Sequence, residues 1–337
     1  MRDFPNRGAR ASALLILTAL SGCDNVQWGG ASMQRVPPPP ASDVAQVAAV
    51  TEGPTSLGLP TGSVLFHVVR TANGAQIVPV AEISGDSLRT LRRPAGVSPQ
   101  AYEERFRSAV LEPNSQFVLF RRGARVGTAT VQGNGPVSTC GVPSSTGLVT
   151  TVAAAAAERE FIAFRKGLEP DVVGEFSPPQ VAGPIRRYGP LIAERAVLQN
   201  GLPRPRSWTG AQRDLQALDV VRGGQPEMSS TFLVGDQLAV GPAEPEGWSV
   251  FFVASYEQRT GYNPFYTEVS DYRKVGKRAP KLVDYLNWNR AGGAEMLVQI
   301  FGQRDTWYQA VSQDGGGRWS KVWEGVPCRG EAAEAGR

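Results

Sequence analysis

The residues able to do chemistry are few. The chain holds one histidine, His67, and three cysteines. A nucleophilic serine needs a base within reach and a third group to orient that base. A zinc site of nitrogen and sulfur ligands needs several such residues together. One histidine and no Cys-x-x-Cys pair exclude the zinc site and leave a serine without a relay, and no S-x-x-K spacing offers lysine as a substitute. His67 lies in Val64-Leu65-Phe66-His67-Val68-Val69, the setting of a hydrogen-bonded core or rim histidine. No pair of carboxylates stands apart by its context, so a glycosidase-type pair cannot be picked out. No catalytic residue, cofactor or metal is expected.

Two motifs carry resemblances. Gly85-Asp86-Ser87-Leu88 resembles the name motif of the GDSL esterases, whose base lies in a D-x-x-H pair near the C-terminus. His67 is upstream of the motif and the family's other blocks are not recognisable. The tetrapeptide is therefore read as a turn at a strand end. Asn287-Trp288-Asn289-Arg290-Ala291-Gly292-Gly293-Ala294-Glu295, ahead of Met296-Leu297-Val298, resembles the calcium loops of FG-GAP and related β-propeller repeats. Asn287, Asn289, Gly292 and Glu295 take positions one, three, six and nine of D-x-D-G-D-G-x-x-E, but Ala291 replaces the carboxylate at position five. Calcium wants several charged oxygens, and Glu295 alone supplies one, so the expectation is a degenerate loop whose geometry outlives its metal affinity.

The N-terminus carries an address. Arg2, Arg7 and Arg10 precede the apolar run ASALLILTAL, too short for a membrane span and suited to a signal-peptide core. Leu20-Ser21-Gly22-Cys23 follows and resembles the lipobox of bacterial lipoproteins. The resemblance implies diacylglyceryl transfer to the Cys23 sulfur, cleavage before it and acylation of its new amino group. With Cys23 set aside, Cys140 and Cys328 remain, an even pair that in an oxidising compartment is expected to form a disulfide. Lys plus Arg is 35 against 31 acidic residues, a formal +4, of which residues 1–22 supply +2. The rest is near neutral, so no nucleic-acid partner is expected. The one tight basic run, Arg273, Lys274, Lys277, Arg278 and Lys281, is read as a solvated turn.

These residues need elements to hold them. The expected organisation is a signal peptide over 1–22, a lipidated Cys and Pro-rich tether over 23–61, a β-rich unit with helical insertions over 62–225, an aromatic-rich antiparallel β unit over 226–328 and a disordered tail over 329–337. Pro37 to Pro40 keeps the tether extended. Val64 to Val69 reads as a strand buried on both faces, Asn73-Gly74 as a hairpin turn and Gln76 to Ile83 as the return, with Pro79 marking an edge or bulge. Ser98-Pro99 starts a helix that Pro113 stops. Gln116 to Arg122 and Arg125 to Val131 form a second hairpin. Val152 to Phe164 allows a helix or two short strands. Ile185 to Leu198 and Gly210 to Leu218 read as helices, and strands follow from Phe232 to Trp323. Between Trp248 and Trp323 lie 15 aromatics in 76 residues. The turn RTGYNPFY, with Tyr262, Phe265 and Tyr266, reads as a loop that offers an aromatic binding surface.

The expected fold class is mainly β, in antiparallel sheets with a few inserted helices and a propeller-like blade as one form of the C-terminus; α+β is the alternative. The expected function is a lipid-anchored cell-envelope protein, on either membrane, with a non-catalytic binding or scaffolding role toward an envelope protein or glycan. The alternative is an envelope hydrolase using a carboxylate pair on glycan or peptide.

Overall fold

The apolar runs become strands because nearly every one has a partner on both faces. The computed structural model describes residues 57–172, 174–177, 181, 183–220, 225–289 and 293–325. The chain is mainly β and its sheets are antiparallel, as the sequence led us to expect.

The first seven strands are β1 (Val64–Thr71), β2 (Gly74–Ser84), β3 (Ser87–Thr90), β4 (Gln116–Arg121), β5 (Ala124–Val137), β6 (Pro143–Thr151) and β7 (Glu160–Arg165). They run in the order β1-β7-β4-β5-β6-β2, and β2 pairs back with β1, so six strands close a barrel; β3 hangs on the free end of β2. Closure removes sheet edges. It needs close backbone approach at Gly127, where an added Cβ would lie 2.0 Å from the Thr150 carbonyl oxygen. Pro79 sits at a bulge, opposite Phe66 while Ala81 opposes Leu65. Helix α1 (Pro99–Val110), capped by Ser98, buries Tyr102, Phe106 and Val110 in the barrel core with Phe66, Phe117 and Phe161. The Phe66 and Phe117 rings meet edge to face at 4.7 Å.

Two four-stranded meanders follow. One holds β8 (Gln212–Leu218), β9 (Glu227–Val234), β10 (Trp248–Glu257) and β11 (Gly261–Asp271). The other holds β12 (Ala279–Leu286), β13 (Glu295–Phe301), β14 (Thr306–Gln313) and β15 (Trp319–Glu324). The layers stack in sequence. Helix α2 (Gly183–Gln199) covers one face of the β8–β11 sheet, whose other face packs on the β12–β15 sheet, whose far face packs on the outside of the barrel. Strand β10 shows the rule: Trp248, Val250, Phe252 and Ala254 face the helix, while Phe251 and Val253 face the next sheet. Each such ring or aliphatic chain, fully buried, contributes about 1.5–3 kcal/mol. The barrel's outer wall, Leu65, Val118, Phe120, Ile162 and Phe164, is as apolar as its lining for the same reason. The boundary expected near residue 225 falls between β8 and β9, which are hydrogen-bonded neighbours.

Two local expectations are corrected, and one left open is resolved. Gly210 to Leu218 is not a helix: a single turn, α3 (Trp208–Ala211), capped by Ser207, gives way to β8. Leu215 and Ala217 face α2 while Leu218 faces the β12–β15 sheet, a period of two that cross-strand pairing imposes over local propensity. Val152 to Phe164 resolves into a 3-10 turn at Ala153–Ala155 and strand β7. RTGYNPFY is not a loop, since residues from Gly261 onward are strand β11.

Candidate functional site

The ionisable residues the fold brings together lie where the barrel wall meets both sheets. His67 points outward from β1, because its neighbours Phe66 and Val68 fill the barrel interior. It is 1 % exposed, and its Nδ1 lies 3.0 Å from the Tyr308 hydroxyl on β14, the rings meeting edge to face. Burial is the main cause that brings the imidazole down to about 4, with Lys281 and Arg121 adding to it against Glu160. His67 is therefore neutral at ordinary pH. Burial likewise holds the Tyr308 phenol above its usual range. His67 Nε2 has no hydrogen-bond partner among the described residues.

Charged pairs surround this contact. Lys281 on β12 donates to both carboxylate oxygens of Glu160 on β7, at 2.7 Å each. Arg121, at the end of β4, donates to Glu158 at 2.7 Å and to the Val283 carbonyl at 2.7 Å, and lies 3.5 Å from Asp284. Asp284 on β12 also accepts the Arg122 backbone N–H at 2.9 Å. Arg122 and Gly123 both have positive φ, 52° and 70°, the signature of a type I′ hairpin turn. Asp284 thus holds a turn that places a non-glycine residue in the left-handed region. Burial pushes the Asp284 carboxyl up to about 6, against the pull of Arg121 and two backbone amides. From β8, Gln216 reaches Asp214 at 2.9 Å and the Leu282 carbonyl at 3.0 Å. Burial raises the Asp214 carboxyl also.

The arrangement joins three sheets through paired side chains, with His67 Nε2 and Arg122 Nε left without a hydrogen-bond partner among the described residues. As chemistry it offers a neutral imidazole and two carboxyls of raised affinity for protons. None of these lines the cleft of about 210 Å³ that lies against Ile83, Gly85, Phe164, Trp288 and Asn289.

A second group tests the carboxylate-pair alternative. Glu268 on β11 and Glu324 on β15 converge on Arg278, at 3.0 and 2.6 Å. The Trp307 indole donates to Glu324 at 2.9 Å, and its ring lies 5.5 Å from the guanidinium. Burial would raise Glu324, but the hydrogen bonds from Arg278, Lys321 and Trp307 outweigh it and hold the carboxyl at about 2. Two acids share one guanidinium here, and Glu324 stays an anion rather than a proton donor.

The residues singled out from sequence fall as follows. Tyr262 is 6 % exposed, packs on Tyr188 of α2 and donates to the Pro226 carbonyl at 2.8 Å. Phe265 and Tyr266 pack on the other face, against the β12–β15 sheet, a bulge at Phe265 putting two successive rings on that side. The three rings thus do not share one face: Tyr262 is buried under α2, and Phe265 and Tyr266 are half-buried on the opposite side of the strand. Glu295 turns back on its own loop and accepts the Trp288 and Asn289 amides at 3.1 and 3.2 Å. Burial takes its carboxyl up to about 7 against these bonds. Asn287 Oδ1 has no hydrogen-bond partner among the described residues. No cluster of three metal-binding side chains occurs among the described residues. Ser87, read as part of a turn, donates its hydroxyl to the Ser84 carbonyl at 3.0 Å across the β2–β3 connection. The basic run is spread over ion pairs: Arg273 and Lys274 with Asp271, Lys277 with Asp236, Arg278 as above and Lys281 with Glu160. Cys140 packs against the barrel core and is not a free thiol. Cys23 and Cys328 lie outside the described residues, so no cysteine pair is found among those described. Among the described residues no helix is long and apolar enough to cross a membrane.

Sequence reasoning missed the junction as a site. Its signal was present in the single polar residues inside apolar strands: His67 in β1, Arg121 closing Phe117-Val118-Leu119-Phe120, and Asp284 in Leu282-Val283-Asp284-Tyr285. What no local pattern shows is that these positions meet. Set against known protein families, characterised proteins and solved structures, the chain matches none of them.

Proposed function

We propose that the chain is a lipid-anchored cell-envelope protein, held through Cys23, whose body binds or scaffolds an envelope protein or glycan and does no chemistry. One observation carries the non-catalytic part. The histidine and the acids of the junction are committed to joining the barrel and two sheets, as His67 is to Tyr308 and Glu158 to Arg121, and Glu295 is committed to the amides of its own loop. The attachment also has a structural counterpart. Where the Pro-rich segment reaches the barrel, Glu82 accepts the Thr61 and Gly62 amides at 2.7 Å each. These bonds and Arg89 outweigh its burial and keep its carboxyl below the usual range. Such a clamp would fix the point at which a tether hands over to the folded body.

The pairing of Cys140 with Cys328 belongs to the same reading. It would close 189 residues and contribute roughly 5 kcal/mol in the chain-entropy model, as an upper figure. The engaged state of Cys140 supports it. Non-reducing peptide mapping that recovers both thiols free would reject it.

Mass spectrometry of the N-terminal peptide tests the anchor. The expected species starts at Cys23 with a thioether-linked diacylglycerol, and an unmodified Cys23 in the mature chain would overturn it. Cross-linking in native envelopes tests the scaffold, with a stoichiometric protein or glycan expected above a Cys23→Ser control. Turnover of glycan or peptide that survives loss of every envelope partner would favour the hydrolase instead.

A further inference from the structure

The outward face of α2 combines exposed leucines with arginines. Ile185, Gly189, Ile192, Ala193, Ala196 and Val197 bury one side of the helix. The opposite stripe, at helical spacing, is Arg187, Leu191, Glu194 and Leu198, with Arg195 beside it. Leu191 and Leu198 are 56 % and 53 % exposed. Residues 183–213 contain six arginines and one acid, Glu194, a charge of +5. The whole chain carries +4, so everything outside this segment sums to −1.

The pairing differs as well. Each cation of the Arg273 to Lys281 run has a carboxylate partner. On the α2 side Glu194 is taken by Arg204 at 3.1 Å, and Arg213 turns to the Gly210 carbonyl. Arg186, Arg187, Arg195 and Arg206 have no ion-pair partner among the described residues.

We infer that this face docks on a bilayer carrying anionic phospholipid. Arginine forks match lipid phosphates bidentately. Each cation near such a surface contributes about 1 kcal/mol. Leu191 and Leu198 would enter the interface while the guanidiniums of Arg187 and Arg195 stay at the headgroups. Charge complementarity selects the anionic surface. The inference rests on the anchoring proposed above for its setting, since one attachment raises the effective concentration of the second. From Cys23 to Leu57 the chain spans 34 residues, which reach at most about 115 Å when extended, enough for the body to lay α2 against the membrane.

The test uses the full chain carrying Cys23→Ser, so that lipidation plays no part, with vesicles of phosphatidylcholine alone or mixed equally with phosphatidylglycerol. The expected result is cosedimentation with the anionic vesicles that weakens with salt. It should fall roughly tenfold or more for Arg187→Glu with Arg195→Glu. Arg195→Gln alone should give a smaller loss, and it serves if the double variant does not fold. Equal binding to both vesicle types, or unchanged binding by either variant, would overturn the inference whatever the fate of Cys23. A photo-cross-linker at Leu191 in native envelopes should capture lipid. Capture of an acidic protein instead would overturn it too.

Discussion

His67 and Tyr308, 241 positions apart in the chain, meet at 3.0 Å in the interior and couple the first strand of the barrel to the last sheet. The imidazole has no other hydrogen-bond partner among the described residues, since Nε2 is unpaired. Tyr308→Phe therefore strips a buried ring of its one bond and should cost about 1–3 kcal/mol in urea unfolding. His67→Phe combined with Tyr308→Phe should cost less than the two single changes added together. Strict additivity across that cycle would mean that the bond contributes nothing.

The pH dependence follows from opposed shifts. His67 falls from 6.5 to about 4 on folding. Its contribution is fully present above about 6.5 and is lost as pH falls through about 4, a change of about 3 kcal/mol. Asp284 rises from 3.8 to about 6 and Glu295 from 4.5 to about 7. Their contributions are present at low pH and are lost as pH rises through those values. Between about pH 4 and 6.5 the two effects oppose, and the native protein should show a shallow profile of thermal stability. His67→Gln removes one side, so its Tm should climb as pH is lowered from 7 to 5. A profile parallel to that of the native chain would contradict the assignment.

Asp284 answers both Arg121 and the Arg122 amide. Asp284→Ala leaves a buried guanidinium short of a counter-charge and should cost about 3–5 kcal/mol. Asp284→Asn keeps an acceptor for the amide and should cost less. Pairing Asp284→Ala with Arg121→Met should recover part of the loss. Chemical denaturation of the four proteins decides it, and a double variant as weak as Asp284→Ala would show that charge is not the cause.

Gly261 and Gly85 separate space from backbone conformation. Both have positive φ, 78° and 58°. A Cβ at Gly261 would sit 2.4 Å from the Tyr188 hydroxyl, whereas one at Gly85 would meet nothing within 4 Å. Gly85→Ala should cost about 1–2 kcal/mol for the left-handed conformation alone. Gly261→Ala should cost more and should loosen α2, seen as faster amide exchange along Ile192 to Val197. Equal costs would mean that Tyr188 moves aside freely.

How much of this the sequence discloses depends on how local the cause is. Ser98 and Pro99 open α1, and Pro79 marks a bulge in β2, because caps and missing donors act on neighbouring backbone. The strands from Trp248 to Trp323 are legible in their aromatic and branched residues. Strand β8 is not, since Gln212 to Leu218 takes its period from β9 and the sheet beneath. Of the candidate site, sequence shows that His67 sits among apolar neighbours in a strand, and it cannot name Tyr308. RTGYNPFY reads as a turn because Asn263-Pro264 is a breaker by composition, yet a bulge absorbs it inside β11.

The double-sided apolarity of the barrel has a consequence in time. Its last strand ends at Arg165, while the sheet that covers its outer wall begins to supply cover only at Val283. Until that sheet is in place a folding chain can have a finished interior and a bare coat of Leu65, Val118, Phe120, Ile162 and Phe164. A fragment stopped after Arg165 would carry that coat permanently, an exposed apolar patch on which copies would aggregate.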